Sequence, residues 1–396
     1  MAGVTPVAGG GPLPRLLTPA FVTLIASGLC YSTAVGVMIP VLPLFVTDEL
    51  GASATAVGVA VGLFSVTALL LKPVAGRAAD RWGRRALLVA GSALFTVVVA
   101  GHLLVSEYWA LVGLRVLLGV AEAVTFVAGV AALTDLAPPE RLGEAISYDS
   151  VGLFVGIAFG PVIGEWLLGQ GGYPAAWAGA VVLGGAATLL ATRLPALPAQ
   201  AVPGERVRLV WRPLLAPGAA FVAGVLGSAG FLAFVTLHAR GIGMAGAGGA
   251  LFTFGAVVVG CRLVFATTAD RVPAVRLSGL ALAAGAAGLA VVALWQDPAG
   301  VFLGAALLGV SSAFLTPAFY RVLMSRVPAT QRGSGAAAFG IMVDLGLGGG
   351  PLLVGLIAAR SSITTAFAAG AALALIAAVL TLRAAARGPA AQATPA

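Results

Sequence analysis

The chain has 396 residues, of which 60% are hydrophobic and only 9% charged, where soluble globular proteins carry roughly 25% charged residues. So few charges could not clothe the surface of a soluble protein this long, which excludes a set of water-soluble domains. Lys and Arg number 22 and Asp and Glu 14, a formal charge of +8, which points either to a polyanionic partner or to cations gathered on one side of a membrane.

A bilayer core of about 30 Å needs about 20 apolar residues per helix. In chain order, charge-free runs of that length cover 16–47, 50–71, 86–106, 166–192, 213–239, 241–261, 277–296, 298–320 and 361–382. Three further runs hold isolated charges: 108–134 with Arg115 and Glu122, 145–166 with Asp149 and Glu165, and 333–359 with Asp344. Twelve spans result. Segments facing lipid must satisfy their own backbone hydrogen bonds, so the expected fold is an all-α membrane protein of twelve transmembrane helices. Pro40 and Pro43 are expected to bend the first span.

With the N-terminus on the cytoplasmic side, 19 of the 22 cations fall on that side. Only Arg240 and Arg360 fall outside, and Arg115 lies within a span. The positive-inside rule therefore places both termini in the cytoplasm. Trp109, Trp166 and Trp295 at outer span ends and Trp211 at an inner one agree, because amphipathic rings favour the interface. The Gly/Pro-rich start reads as a loose tail, and the first span is too long for a signal peptide. Cys30 and Cys261 have neither disulfide nor metal spacing and read as packing residues.

The chain aligns with itself at an offset of 190 residues. Ala79-Asp80-Arg81 falls on Ala269-Asp270-Arg271, Lys72 on Arg262, and Leu117-Leu118-Gly119-Val120 on Leu307-Leu308-Gly309-Val310. Pro138 falls on Pro328, Gly156 on Gly346, and Gly160-Pro161 on Gly350-Pro351. Two pseudo-symmetric six-helix bundles of the same orientation follow, an arrangement known among secondary transporters. The expected organisation is a cytoplasmic tail (1–15), a first bundle (16–193), a cytoplasmic linker (194–212), a second bundle (213–383) and a tail (384–396).

The loop after the second span reads Gly76-Arg77-Ala78-Ala79-Asp80-Arg81-Trp82-Gly83-Arg84-Arg85. It resembles the G-x-x-x-D-R-x-G-R-R signature of the major facilitator superfamily. Arg115, Gly119 and Ala121 resemble the fourth-helix motif of its drug–proton antiporters. Gly152, Gly156, Gly160-Pro161 and Gly164 resemble their glycine-rich fifth-helix motif, with Glu165 standing where a further Gly is usual. The resemblance implies that the loop latches the inner side closed, with Asp80 facing the eleventh helix. It also implies that the first, fourth, seventh and tenth helices line a central cavity, on which Tyr31, Phe126, Phe231, Phe234 and Phe314 lie.

The residues carry their own reasons. A carboxylate at Asp80 can cap a neighbouring helix and complement its dipole, and Arg81, Arg84 and Arg85 are placed to pair with Asp135. Glycines every four residues make a flat face for close helix packing, and Pro161 bends the helix. A carboxylate near the bilayer centre costs about 2.5–3.5 kcal/mol on insertion scales, so it must face a cavity or a partner. Glu122 and Asp344 are the candidate proton-coupling carboxylates. Arg115, on the same helix face as Glu122 and about 10 Å from it, is too far for a direct ion pair and is expected to modulate Glu122 or contact substrate. Asp149 and Glu165 read as solvated or capping. His102 and His238 receive no proton role. The first span, 16–47, lacks the acidic residue common in the family.

The sequence has no phosphate-binding loop, nucleophile elbow or metal cluster, so neither an enzyme nor a cofactor is expected. The expected protein is a monomeric secondary transporter of the cytoplasmic membrane, with a small molecule, protons and lipid as partners and no nucleic acid. Its expected function is proton-coupled efflux of a small lipophilic compound, a drug or secondary metabolite. An importer or sugar/metabolite exporter of the same superfamily is the alternative, and a non-transporting receptor a more distant one.

Overall fold

The computed structural model describes residues 15–197, 212–265, 271–327 and 332–387. The side chains of 212, 213 and 332–334, Trp211, Asp270, Pro328, and most of the two expected tails and the linker lie outside the described residues. The described residues are almost entirely helical: α1 (Pro19–Asp48), α2 (Ala54–Trp82), α3 (Arg84–Gly101), α4 (Tyr108–Leu136), α5 (142–170), α6 (173–192), α7 (Arg212–Gly241), α8 (Gly248–Val264), α9 (Ala274–Leu294), α10 (Pro298–Arg326), α11 (Arg332–Arg360) and α12 (Ile363–Ala386).

Local chemistry sets where the helices stop. The Thr18 hydroxyl accepts the Phe21 N–H at 3.2 Å and Pro19 opens α1, where a missing N–H costs nothing. Ser53, Asp297 and Ser362 cap α2, α10 and α12 in the same way. Gly83, at φ 85°, reverses the chain between α2 and α3 in a backbone region that disfavours side chains. Helix continues nominally through Leu142–Thr192, yet 51 residues are far too many for one crossing. Gly171 and Gly172 leave helical geometry, with Gly172 at φ 67°, and divide the segment into α5 and α6.

The 190-residue offset recurs in the helix starts: 274 − 84, 298 − 108, 332 − 142 and 363 − 173 all equal 190. Packing repeats as well. In the first bundle a Cβ at Gly36 would lie 2.6 Å from the Gly156 carbonyl and 3.0 Å from the Gly160 Cα, so α1 and α5 touch backbone to backbone. In the second, a Cβ at Gly350 would lie 2.9 Å from the Gly230 N, bringing α11 equally close to α7. Small residues permit this approach, and dispersion holds it where lipid removes the hydrophobic drive.

Two helix pairs make the closest contacts between the bundles. α2 meets α11, where a Cβ at Gly58 would lie 3.2 Å from the Gly355 Cα. α5 meets α8, where a Cβ at Gly255 would lie 2.7 Å from the Ala158 Cα. The buried core follows the same geometry. At the end away from the termini, one continuous core runs through both bundles, from Val41, Val57 and Leu111 to Phe234, Leu251 and Phe367. At the end carrying the termini it splits. Phe21, Leu87 and Leu133 pack within the first bundle, and Phe221, Phe319 and Leu323 within the second. The bundles are thus sealed at the far end and parted at the terminus end.

Candidate functional site

A cavity of about 370 Å³ occupies the middle of the protein on the first-bundle side. Its wall is largely aliphatic and aromatic, including Leu24, Ile25, Met38, Ile39, Val61, Phe64 and Phe95. Residues towards the terminus end of α4 and α5, among them Val130, Asp149 and Leu153, line its mouth. Polar groups are few: Ser27, Ser32, Tyr31, Ser65, Ser92, Arg115, Glu122, Thr125 and Asp149. A small set of polar groups on an apolar wall is the usual composition of a small-molecule site.

Glu122 is the best-defined of them. The Tyr31 hydroxyl donates to Glu122 Oε2 at 2.8 Å, joining α1 to α4. The Tyr31 ring packs on Phe95 at 4.6 Å between centroids, which fixes the direction of its hydroxyl. In the second bundle the positions 190 residues on are Phe221 and Ser312. Phe221 stacks on Phe319 at 4.3 Å in an apolar core. The Ser312 hydroxyl bonds to that of Ser228 at 3.3 Å, so the same scaffold holds a carboxylate in one bundle and only a neutral hydroxyl pair in the other.

Arg115 forms no ion pair with Glu122. Its Nε donates to the Ala60 carbonyl at 2.7 Å, and its guanidinium lies 5.1 Å from the Phe64 ring centroid. This binds α4 to α2 and satisfies a buried cation without a carboxylate. Phe126 faces the cavity and is 47% exposed. Phe231 and Phe234, expected on the cavity wall, are fully buried elsewhere: Phe231 packs near Phe254 and Phe367, and both belong to the far-end core. Phe314 approaches Phe265 at 6.3 Å and also stands off the cavity.

Asp344 lies outside the cavity lining, buried in α11, and its carboxylate is engaged. The Lys72 ammonium donates to both its oxygens, at 2.9 and 2.7 Å. Lys72 stands on α2 of the other bundle. Sequence reasoning assigns it only to the inner side, and the offset alignment with Arg262 is the one signal that singles it out. Asp149, expected as solvated or capping, instead lines the cavity. Glu165 does cap: its Oε1 accepts the Ala247 N–H at 2.7 Å, at the start of α8 in the opposite bundle. A second far-end contact joins Arg240 of α7 to Asp48 of α1 at 2.7 Å, and the Tyr173 hydroxyl donates to the same carboxylate at 2.9 Å.

In the loop between α2 and α3, Arg84 pairs with Asp135 at 3.0 Å, tying α3 to α4 within one bundle. Arg85 donates to the Thr192 carbonyl at 2.7 Å. Arg81 is exposed, and Asp80 makes no hydrogen bond or ion pair among the described residues. The expected capping by Asp80 is not made at α3, whose N-cap Gly83 receives no side-chain bond. With the terminus end parted, a latch there would be disengaged. Gly152, Gly156, Gly160, Pro161 and Gly164 lie along α5, and all but Gly152 are buried; Gly156, Gly160 and Gly164 pack directly on the α1 backbone between Ser32 and Val37. Gly76 has open space around it. Cys30 and Cys261 are free thiols. His102 and His238 are buried, His102 against Trp177 and His238 against Phe367.

Comparison with known proteins agrees with this geometry. The profile of the Major Facilitator Superfamily matches residues 24–348 and 262–396. An uncharacterized MFS-type transporter of Pseudomonas aeruginosa (strain LESB58) is 31% identical over 338 residues, covering 82% of this chain and 83% of the relative. Another, from Burkholderia mallei (strain SAVP1), is 29% identical over 337 residues, covering 82% of each. Among solved structures, the POT family transporter PepTSo superposes with a TM-score of 0.77 at 15% identity, over 95% of this chain and 99% of that one. A bacterial homologue of the human lysosomal transporter Spinster, in an inward-facing and occupied conformation, gives 0.76 at 16% identity, over 95% and 98%. The nucleoside transporter NupG gives 0.73 at 15% identity, over 92% and 99%. Twelve long helices among the described residues, in two repeat-related bundles, a cavity open at one end and this family match together establish that the chain belongs to the major facilitator superfamily and is a multi-pass membrane transporter of small molecules.

Proposed function

We propose that this transporter exports a small, largely lipophilic organic compound from the cytoplasm in exchange for protons, acting as a monomer in the cytoplasmic membrane. The carrying observation is the cavity of about 370 Å³, whose largely apolar wall holds the carboxylate of Glu122, hydrogen-bonded to Tyr31, with Asp149 and Arg115 also in its lining. A wall of this kind binds apolar surface, and a carboxylate held amid it by a hydroxyl donor can exchange a proton for solute. The cation distribution assigns the terminus end to the cytoplasm, so the cavity faces inward here, where an exporter loads. Segments 16–193 and 213–383 are the two bodies that rock about the cavity. The glycine-rich α5, resembling that of antiporters, favours exchange over symport.

The test is a drug-susceptibility panel in a host lacking its own pumps, run with and without a protonophore. Raised tolerance and lowered accumulation, both abolished by the protonophore and by Glu122→Gln, are expected. Substrate-driven proton movement in everted vesicles should disappear in the same variant. Accumulation raised by expression would make the protein an importer and overturn the reading. Proton exchange that survives Glu122→Gln at full rate would remove Glu122 from the coupling.

A further inference from the structure

The ion pair between Lys72 and Asp344 joins the two bundles, and the internal repeat gives it a counterpart. Adding 190 to Lys72 gives Arg262, and subtracting 190 from Asp344 gives Phe154. The Arg262 guanidinium lies 4.7 Å from the Phe154 ring centroid. Both bundle interfaces, α2 with α11 and α5 with α8, therefore have a cation of one bundle set on the other at corresponding positions. Each lies towards the terminus end from the glycine contacts of its interface. In one interface the cation meets a carboxylate; in the other it meets a phenyl ring, which does not titrate. Only one side of the pseudo-symmetric pair can respond to a proton.

Lys72 is also poised between two carboxylates. Its ammonium stands 4.2 Å from the Phe126 ring centroid, and Phe126 is one helical turn from Glu122 on α4. Tyr31 faces Glu122 from α1, Arg115 of α4 and Asp149 of α5 line the same cavity, and Lys72 is the charged partner of Asp344 among the described residues. One cation thus serves two carboxylates in a low-dielectric region. The set is neutral only when one of them holds a proton, and uncompensated buried charge is costly.

We propose that Lys72 is the positioning residue of proton coupling: it compensates Asp344 of the second bundle or Glu122 of the first, and the carboxylate it leaves takes the proton. This rests on the reading of Glu122 as a coupling carboxylate. In the terminus-open state seen here Lys72 holds Asp344, and Glu122 is the protonated partner of Tyr31. When Glu122 releases its proton to the cavity, Lys72 swings on its flexible four-carbon stem from Asp344 to Glu122. The site then holds one proton fewer, so raising the pH favours the switch that follows. The move withdraws the cross-bundle ion pair and frees α11 from α2, so that the far end can open. Asp344 takes up one proton from the far side only once that end is open: one proton leaves on the terminus side before the switch and one arrives from the far side after it. The repeat-related Arg262–Phe154 contact persists and keeps the bundles in register.

The experiment needs no substrate. In reconstituted full-length protein with Cys30 and Cys261 replaced by Ser, spin labels at Ser147→Cys and Ser325→Cys report the terminus end, and labels at Glu49→Cys and Gly241→Cys the far end. Distances are measured between about pH 5.5 and about pH 8, a window reached by buried carboxylates. The expected result is a change of at least about threefold in the ratio of terminus-open to far-open populations for the labelled parent. Lys72→Met should lose that response, and Lys72→Arg should keep it. An undiminished response in Lys72→Met overturns the inference while leaving export and Glu122 untouched. No response in the parent overturns the inference together with proton coupling. Should Lys72→Met fail to fold, Lys72→Met/Asp344→Asn removes both charges of the pair together. The proposal expects no pH response there, whereas a merely structural ion pair leaves the response of Glu122 intact and overturns it.

Discussion

The Glu165 carboxylate and the Ala247 amide meet at 2.7 Å across the far-end interface, one belonging to α5 of the first bundle and the other to the start of α8 in the second. A carboxylate at a helix N-terminus satisfies an otherwise open N–H and complements the helix dipole. The repeat-related position is Gly355, where the chain has no side chain and α11 instead lies directly on α2: a Cβ there would be 2.7 Å from the Ala54 carbonyl. The departure of Glu165 from the family's glycine pattern thus has a structural purpose. It replaces a backbone contact with a breakable charged one on one side of the far-end seal.

Glu165→Ala should therefore loosen that seal. A charge-assisted hydrogen bond contributes about 1.5–3 kcal/mol, so the far-open population should rise roughly 10–150-fold. Thr55→Cys, at the α2–α11 interface where the Thr55 hydroxyl donates to the Gly355 carbonyl at 3.5 Å, reports it through labelling by a membrane-impermeant maleimide. Faster labelling in Glu165→Ala, with Glu165→Gln between it and the parent, is the expected outcome.

Tyr31→Phe removes the hydroxyl that donates to Glu122 and keeps the ring stacked on Phe95. Expression and melting temperature should change little. Proton-driven efflux should fall by roughly tenfold, the effect of about 1.4 kcal/mol, with downhill exchange of the same substrate less affected. Equal loss of both activities would assign Tyr31 to substrate binding alone.

Gly156→Leu should be far more damaging than Gly76→Leu. A Cβ at Gly156 would lie 2.7 Å from the Thr33 amide N, a backbone atom that cannot step aside, whereas Gly76 has open space. Overpacking costs about 1–3 kcal/mol even where neighbours can adjust. Thermal unfolding in detergent should fall by several degrees for the first and hardly at all for the second.

Asp80→Asn should leave folding and the far-end seal unchanged, because Asp80 has no partner among the described residues in the terminus-open state. If the loop latches the opposite state, the variant should lower transport by at least about fivefold and favour terminus-open labelling. Unchanged turnover would dissociate the motif from gating.

Much of this protein was legible from its amino-acid order, for physical reasons. Lipid demands about 20 apolar residues per crossing, so the helices could be counted. Gly171 and Gly172 split a 51-residue run where the count required it, and the repeat spacing reappears as 190 between helix starts. Glu122, Arg115 and Asp344 stood out because a charge in an apolar run needs a partner. The partners themselves were hidden. Asp344 lies 272 residues from Lys72, and no periodicity connects them.

Rotation about each helix axis was equally hidden. In α7 every face is apolar, since lipid and core make the same demand, so nothing in the order distinguishes Phe231 in the dry far-end core from a ring on the cavity wall. Asp149 was placed by its depth along α5, which cannot tell a solvated residue from one lining the cavity. Sequence alone determined the number of crossings, their common repeat and the side on which cations gather, because each follows from the local exchange between water and hydrocarbon. Only the tertiary structure decided which end is sealed, which carboxylates face the cavity and which is held by a lysine, because those depend on how two bundles meet.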